Sequence, residues 1–356
     1  MQKVRAKIHL RSIRSNAESF RVLSGTKLCA VVKANAYGHG AEEVVNALNG
    51  IADSFAVALI EEGIGIRVAA AGKEILVFTP PQTEEECLAI AENKFTATIP
   101  NLFTAKLMQR VCRERKIPVR VHIKTNTGMN RYGVDRASLG KICKLLKNDR
   151  YVQVAGVYSH LYGDRASAEK QRTLFLQMQR IVKGYFPSVI SHLSATSGCL
   201  YGKEFAFDQV RVGIGLYGYL PSGLSEEERK TGEKLRLKKG MSVYARSLGE
   251  RTVRFGGLGY GGTLTKEEIT KNRRVYLLRT GYADGFLRKK ENGVDGFENN
   301  ANNLCMDVCL RTGRAVRGKE IPVMLDAEKT ANATGTIPYE VLCAATRRAE
   351  FVYDDD

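Results

Sequence analysis

The sequence predicts an α/β protein, a (β/α)8 TIM barrel followed by a separate, mainly-β C-terminal domain. Two patterns carry that prediction. Between residues 28 and 214, eight short apolar runs alternate with seven amphipathic, charge-rich stretches. Strands alternating with helices imply parallel pairing through right-handed crossovers. Eight is the strand number of the closed barrel, with a doubly wound sheet as the alternative. Beyond Tyr219 strand-like runs alternate with glycine clusters, and long helical periodicity is missing.

Residues 4–10 alternate apolar and polar side chains like a half-exposed strand, and 11–23 follow with helical spacing at Ile13, Ala17 and Phe20. The run 28–33 reads as a strand buried on both faces and ending at Lys33. A loop hinged on Gly38 and Gly40 then leads to a helix near 41–49. Further strands are expected at 54–59, 74–78, 95–99, 118–124, 153–159, 188–193 and 209–214, with helices such as 83–92, 101–115, 139–146 and 166–183 between them. Pro221, Gly223 and the polar run 225–230 read as a linker. Six strand-like runs follow, at 241–247, 251–255, 275–279, 304–310, 321–325 and 339–343. The expected domains are an N-terminal strand at 1–10 pairing with the C-terminal domain, a barrel at 11–225, an all-β domain at 231–353 and a disordered acidic tail at 354–356.

Composition narrows the function. The 356 residues carry a formal charge of +17, which invites a nucleic-acid partner. The basic residues alternate with glutamate and glycine, however, without tryptophan or an aromatic stacking pattern, so a solvated face is the better reading. Eight scattered cysteines and five histidines lack metal-ligand spacing, which points to reduced thiols and no metal centre. No apolar run is long enough to span a membrane and no signal peptide opens the chain, so a cytoplasmic location is expected.

The reactive side chains fall at strand ends, where barrels place their active sites. Lys33 closes the first strand, Lys124 the fifth with Arg131 in the loop after it, and His160 the sixth. Thr196 follows the seventh, and Arg211 lies in the eighth. A lysine at the low-dielectric end of a core has its charge disfavoured, which frees an amine able to form Schiff bases. The stretch 213–218 matches Gly-x-Gly-x-x-Gly, yet Pro221 and Gly223 break the helix that a dinucleotide site needs. Its glycines suit backbone contact with a single phosphate.

The string Val-Val-Lys33-Ala-Asn-Ala-Tyr37-Gly-His-Gly40 resembles the pyridoxal phosphate site of the alanine racemase family, a fold-type III family. So do His122–Gly133, Tyr158-Ser-His160-Leu161, Gln209–Gly218, Gly257-Leu-Gly-Tyr260-Gly-Gly262, Gly281-Tyr282-Ala-Asp-Gly285, Cys305-Met306-Asp307 and Pro338–Cys343. The resemblance covers nearly the whole chain. It implies a pyridoxal 5'-phosphate enzyme that interconverts L- and D-alanine by a two-base mechanism and supplies D-alanine for peptidoglycan. Lys33 and Tyr260 would be the bases on opposite faces of the α-carbon, with Tyr260 reaching the site from the partner chain of a homodimer and His160 contacting it. Arg211 would face the pyridine nitrogen. Tyr37, Thr196, Gly213 and Ile214 would complete the cofactor site, while Arg131, Met306 and Tyr282 would hold or admit the substrate. Lys124 matches a lysine that is often carbamylated in the family.

The chain departs from the family pattern at several places. Asn126 replaces an aspartate, Val212 a proline, Ala195-Thr196 an Asn-Ser pair, and Arg347 a tyrosine that touches phosphate in many members. Residues 292–303 are asparagine-rich where an apolar strand is usual, and Gly318-Lys-Glu320 replaces Gly-Asp-Glu. The alternative functions are a serine or broad-specificity racemase, a fold-type III decarboxylase, and a non-catalytic carrier of the cofactor.

Overall fold

The computed structural model describes residues 4–256, 259–260, 274–288 and 304–355. Two compact units make up the chain. One comprises Ser12–Ala36 and Ala41–Lys238; the other comprises Met1–Arg11, Tyr37–Gly40 and Lys239–Asp356.

After β1 (Arg5–His9), the first unit holds strands β2 (Lys27–Val31), β3 (Ser54–Val57), β4 (Glu74–Val77), β5 (Thr96–Ile99), β6 (Val119–Lys124), β7 (Val152–Tyr158), β8 (Ile190–His192) and β9 (Gln209–Val212). They form one eight-stranded sheet in the order β8-β7-β6-β5-β4-β3-β2-β9. Every ladder in it is parallel. The two ends meet: Asp208 N–H donates to the Ser191 carbonyl at 3.0 Å and Arg211 N–H to the Ser194 carbonyl at 2.9 Å. The barrel expectation holds. Strands buried on both faces explain the continuous apolar runs, since every residue of β3 and β5 is buried. The helices are α1 (Leu10–Ser24), α2 (Ala41–Leu48), α3 (Ile60–Ile66), α4 (Glu84–Glu92), α5 (Leu102–Arg115), α6 (Arg136–Leu146) and α7 (Arg165–Tyr185), then the short α8 (Thr196–Tyr201).

Two expectations for this unit need correction. Strand β2 stops at Val31, and Lys33 instead opens a turn spanning Lys33–Gly38. That turn is left-handed: φ is 52°, 53°, 54° and 53° at Ala34, Asn35, Ala36 and Tyr37, and 82° at Gly38. Left-handed backbone costs roughly 1–2 kcal/mol at each residue with a Cβ, so a run of four must be imposed by its surroundings. The polar run after Gly223 is not a linker but helix α9 (Glu226–Lys234). Ser225 and Glu228 form a capping box, with Glu228 N–H on Ser225 Oγ at 3.4 Å and Ser225 N–H on Glu228 Oε2 at 2.8 Å.

The second unit is built on β10 (Met241–Thr252), β11 (Arg274–Leu278), β12 (Cys309–Thr312), β13 (Glu320–Met324) and β14 (Glu350–Asp354). Its sheet runs β12-β11-β10-β1-β14, with β13 also on β10. Strand β1 is antiparallel to β10 and parallel to β14. The expected all-β texture is interrupted by helices α10 (Ala327–Thr334) and α11 (Pro338–Ala344). Residues 339–343 therefore coil rather than extend, because Pro338 sits in the first helical turn, where its missing N–H costs nothing. Asp354 belongs to no disordered tail, since it pairs with His9 at the end of β14. No helix among the described residues is long and apolar enough to cross a membrane.

Phe55 in β3 is fully buried. Phe55→Ala should destabilise the barrel by about 3–5 kcal/mol, seen as a lower urea midpoint than the wild type.

Candidate active site

Parallel strands present their C-terminal ends at one rim of the barrel, and the predicted residues gather there. Lys33 follows β2, Lys124 ends β6, His160 follows β7, Thr196 opens α8 after β8, and Arg211 is the third residue of β9. Arg211 is 2 % exposed. It donates to the carbonyls of Ser159 at 2.7 Å and Leu193 at 3.0 Å, to His192 Nδ1 at 2.9 Å, and at 3.4 Å to His160 Nδ1. Its guanidinium carbon also lies 5.2 Å from the centre of the Tyr158 ring. None of these partners carries a negative charge.

A guanidinium has only donors, so its partners must accept. His192 therefore carries its proton on Nε2 and donates it to His122 Nδ1 at 3.0 Å. His122 then keeps its own proton on Nε2, which faces Glu74 Oε1 at 3.6 Å. Burial is the main force holding His160 and His192 well below the usual histidine range, with Arg211 second. Burial likewise lowers His122 to about 4. Burial, reinforced by that cation, keeps the three imidazoles neutral.

Lys124 is 3 % exposed and donates to the Thr125 carbonyl at 3.0 Å and Ser159 Oγ at 3.4 Å. Burial first, then Arg211 and Arg131, holds its ammonium well below the ordinary lysine range. Arg131 is exposed in the loop after β6, its guanidinium 5.4 Å from the centre of the Tyr132 ring. Asn126 organises that loop: its Oδ1 accepts from Gly128 N–H at 3.1 Å, while its Nδ2 donates to Asn130 Oδ1 at 2.9 Å and Asp135 Oδ1 at 3.2 Å. An aspartate could not donate those last two bonds.

Thr196 and the segment after β9 meet, with Gly215 N–H donating to Thr196 Oγ1 at 3.3 Å. Gly213 and Ile214 open a one-turn 3-10 helix, Ile214–Tyr217, that ends at Gly218 with φ 90°. No long helix follows, so the glycine pattern builds no dinucleotide site. A hydroxyl beside the opening N–H groups of two turns is a donor set suited to one phosphate. With an amine at Lys33 and the donor-only Arg211 on the same rim, these residues fit an aldehyde cofactor bearing a phosphate and a pyridine nitrogen.

In the second unit, the structure joins two motifs that are far apart in sequence. Tyr282 N–H donates to the Cys305 carbonyl at 3.1 Å and Ala283 N–H to the Met306 carbonyl at 3.0 Å. A side chain at Gly281 would overlap those carbonyls. Arg348 ties the pair from outside, reaching Asp284 Oδ1 and Asp307 Oδ1 at 2.9 Å each. Met306 is 53 % exposed and Tyr260 69 %, and the Arg288 guanidinium lies 5.2 Å from the centre of the Tyr260 ring. Gly257, Leu258, Gly261 and Gly262 around Tyr260, and residues 292–303, lie outside the described residues. Tyr37 is buried in this unit, its ring centre 6.0 Å from that of Tyr339.

Sequence reasoning missed His122, His192, Glu74, Glu62 and Arg348. For Arg348 a signal existed in its place just after the Pro338–Cys343 motif. His122 had one too, since it opens the His122–Gly133 stretch, whereas His192 had none.

The barrel with its lysine-bearing rim and the β-rich unit define a two-unit protein built to carry chemistry at a barrel rim, and comparison with known proteins gives the class. The family model "Alanine racemase, N-terminal domain" matches residues 8–221, and "Alanine racemase, C-terminal domain" matches 241–353. The alanine racemase of Methanococcus maripaludis is 31% identical over 98% of this chain and 98% of its own. That of Neisseria meningitidis is 31% identical over 99% of both. Among solved structures, the Clostridium difficile alanine racemase superposes with a TM-score of 0.88 at 28% identity, covering 99% of this chain and 96% of that one. The Bartonella henselae alanine racemase, solved with covalently bound pyridoxal phosphate, gives 0.82 at 25% identity over 99% and 100%. The chain belongs to the alanine racemase family.

The neutral histidines make the barrel acid-sensitive. An unfolded histidine titrates near pH ~6.5, whereas folded His122 does so at about 4. The unfolded chain therefore binds more protons within that window, so stability is fully present above it and is lost as pH falls through it. The urea midpoint should drop between pH 7 and pH ~4.5, with His122 alone contributing about 2–3 kcal/mol. His122→Gln should flatten that slope.

Proposed function

We propose that this protein interconverts L- and D-alanine with pyridoxal 5'-phosphate, as a homodimer whose two active sites each draw on both chains. The observation that carries the reading is Arg211, a buried cation held by neutral partners at the rim where Lys33 emerges. Its donors can meet a ring nitrogen only as an acceptor, which keeps a proton off that nitrogen. The cofactor, when bound, supplies delocalisation of the electron pair left at the substrate α-carbon. Lys33 would hold the cofactor, and its amine would take or return a proton on one face of that carbon. Tyr260 of the partner subunit does so on the other. Thr196, Gly213, Ile214 and Tyr37 would bind the cofactor, and the neutral His160 would adjust Tyr260. Arg131, Met306 and Tyr282 would orient the substrate.

Lys124 is a buried amine whose charged form is disfavoured, and a carbamate could form on it by addition to carbon dioxide and loss of a proton. The product would be an anion between Arg131 and Arg211. All eight cysteines are free thiols, as a reducing cytoplasm would keep them. D-Alanine for peptidoglycan is the proposed use.

A chiral chromatography panel of L-amino acids tests the reading, with alanine expected to give the highest kcat/KM and an equilibrium near equal amounts. Borohydride reduction and peptide mapping of the same preparation should place the cofactor on Lys33. A higher value for serine would replace alanine as the substrate, and label elsewhere would remove Lys33.

Tyr260 is exposed on its own unit, which suits a residue completed by a second chain. Lys33→Ala and Tyr260→Phe subunits, each nearly inactive alone, should recover about a quarter of wild-type activity when refolded together. Half the dimers are then mixed, and each mixed dimer has one intact site of two. Activity no greater than that of the separately refolded variants would mean that each chain builds its own site.

A further inference from the structure

The left-handed turn that carries Lys33 is held by a residue outside the barrel rim motifs. Glu62, third in α3, spreads its carboxylate over three backbone N–H groups. Oε1 accepts from Ala34 at 2.6 Å, while Oε2 accepts from Ala58 at 2.8 Å and Leu59 at 3.0 Å. The bonds to Ala58 and Leu59 are those of any glutamate reaching back over the start of its own helix. Helix capping does not account for the bond to Ala34, which lies 28 residues earlier.

The Ala34 N–H belongs to the peptide group that follows Lys33. On the other side of the lysine, the Val32 carbonyl of the preceding peptide group accepts from Ala36 N–H at 2.8 Å, and Val32 N–H is itself fixed in the sheet on the Ala56 carbonyl at 2.9 Å. Lys33 thus stands between two pinned peptide groups. Alanine at 34 and 36 disfavours positive φ, and a right-handed turn would rotate the lysine and the residues after it off the strand end in another direction. A charged acceptor at the opening of the turn makes bonds stronger than neutral ones, and it is placed to select the costly hand.

We infer that Glu62 is a positioning residue for Lys33, fixing the left-handed turn through Ala34. The inference rests on the reading that Lys33 holds the cofactor.

Residue-resolved amide exchange on the cofactor-free protein is the first test. Although Ala34 is exposed, its amide should be protected in the wild type to a degree like that of Ala58. Exchange at the rate of an unprotected amide would overturn the inference without any variant. In Glu62→Gln, a single carbonyl oxygen cannot serve both sets of donors, so Ala34 should exchange about tenfold faster or more while Ala30 and Val31 in β2 stay unchanged. An acceleration spread evenly over the barrel strands would instead mean a general loss of stability and would overturn it. Adding Ala34→Gly, which adopts positive φ without a Cβ clash, should restore the turn. The fraction of cofactor trapped on Lys33 by borohydride should fall in Glu62→Gln and recover in the double variant; no fall, or no recovery, counts against the inference. If wild-type label appears away from Lys33, the cofactor reading fails while the Ala34 exchange result stands.

Discussion

The rest of the barrel interior depends on one burial: a guanidinium charge at Arg211 with histidine nitrogens and carbonyls for partners. Burying a cation without a carboxylate is costly, and the surrounding groups are arranged to tolerate it. Imidazoles that could add positive charge are held neutral, and burial disfavours the charge of Lys124 as well. The proton on each histidine is fixed by the donor before it, from Arg211 through His192 to His122. The two histidines come from alternate strands, β8 and β6, as side chains of one interior layer do. A carboxylate in place of any of these would relieve the burial and cancel the positive field at the rim, which would attract the anionic cofactor and substrate proposed above.

Both units spend structure on holding backbone in place rather than on adding reactive groups. At the barrel rim, four residues in a left-handed turn follow Lys33. In the C-terminal unit, Arg348 clamps Asp284 and Asp307, so that two short motifs present Tyr282 and Met306 from a single rigid corner. Gly281 permits the approach of backbone to backbone there. Such supports keep reacting groups in place during a turnover.

The barrel was legible because its signal is periodic: eight apolar runs alternate with helical stretches, and that strand number favours closure over a doubly wound sheet. Lys33, Arg211 and Thr196 were legible because strand ends are where a barrel exposes chemistry. What stayed hidden was set by three-dimensional pairing or by capping. Residues 339–343 look like a strand because Val341 and Leu342 are apolar, and Pro338 decides for the helix. The run 225–230 looks like a linker because it is polar, yet its Ser-x-x-Glu spacing is a helix start that composition alone overlooks. His192 and His122 read as strand residues, and only Arg211 across the barrel gives them a role. The left-handed turn has no sequence signature, since alanine is a poor choice for it. Its cause lies in Glu62, on another element.

The place of β1 has a consequence for how the chain comes to be folded. β1 is made before the barrel strands, but it lies between β10 and β14 in the finished sheet. Its register partners are Met241–Tyr244 and Glu350–Asp354. During synthesis at ~5–20 residues per second, β1 waits roughly 10–50 s for β10, and longer for β14. Throughout that interval its two hydrogen-bonding edges are open while the barrel strands can already pair. Such an edge is a template for other chains. Arg5 and Lys7 alternate along β1 with the buried Ala6 and Ile8. Positive charge at alternate positions makes a strand that waits alone a poor template for its neighbours on the polysome.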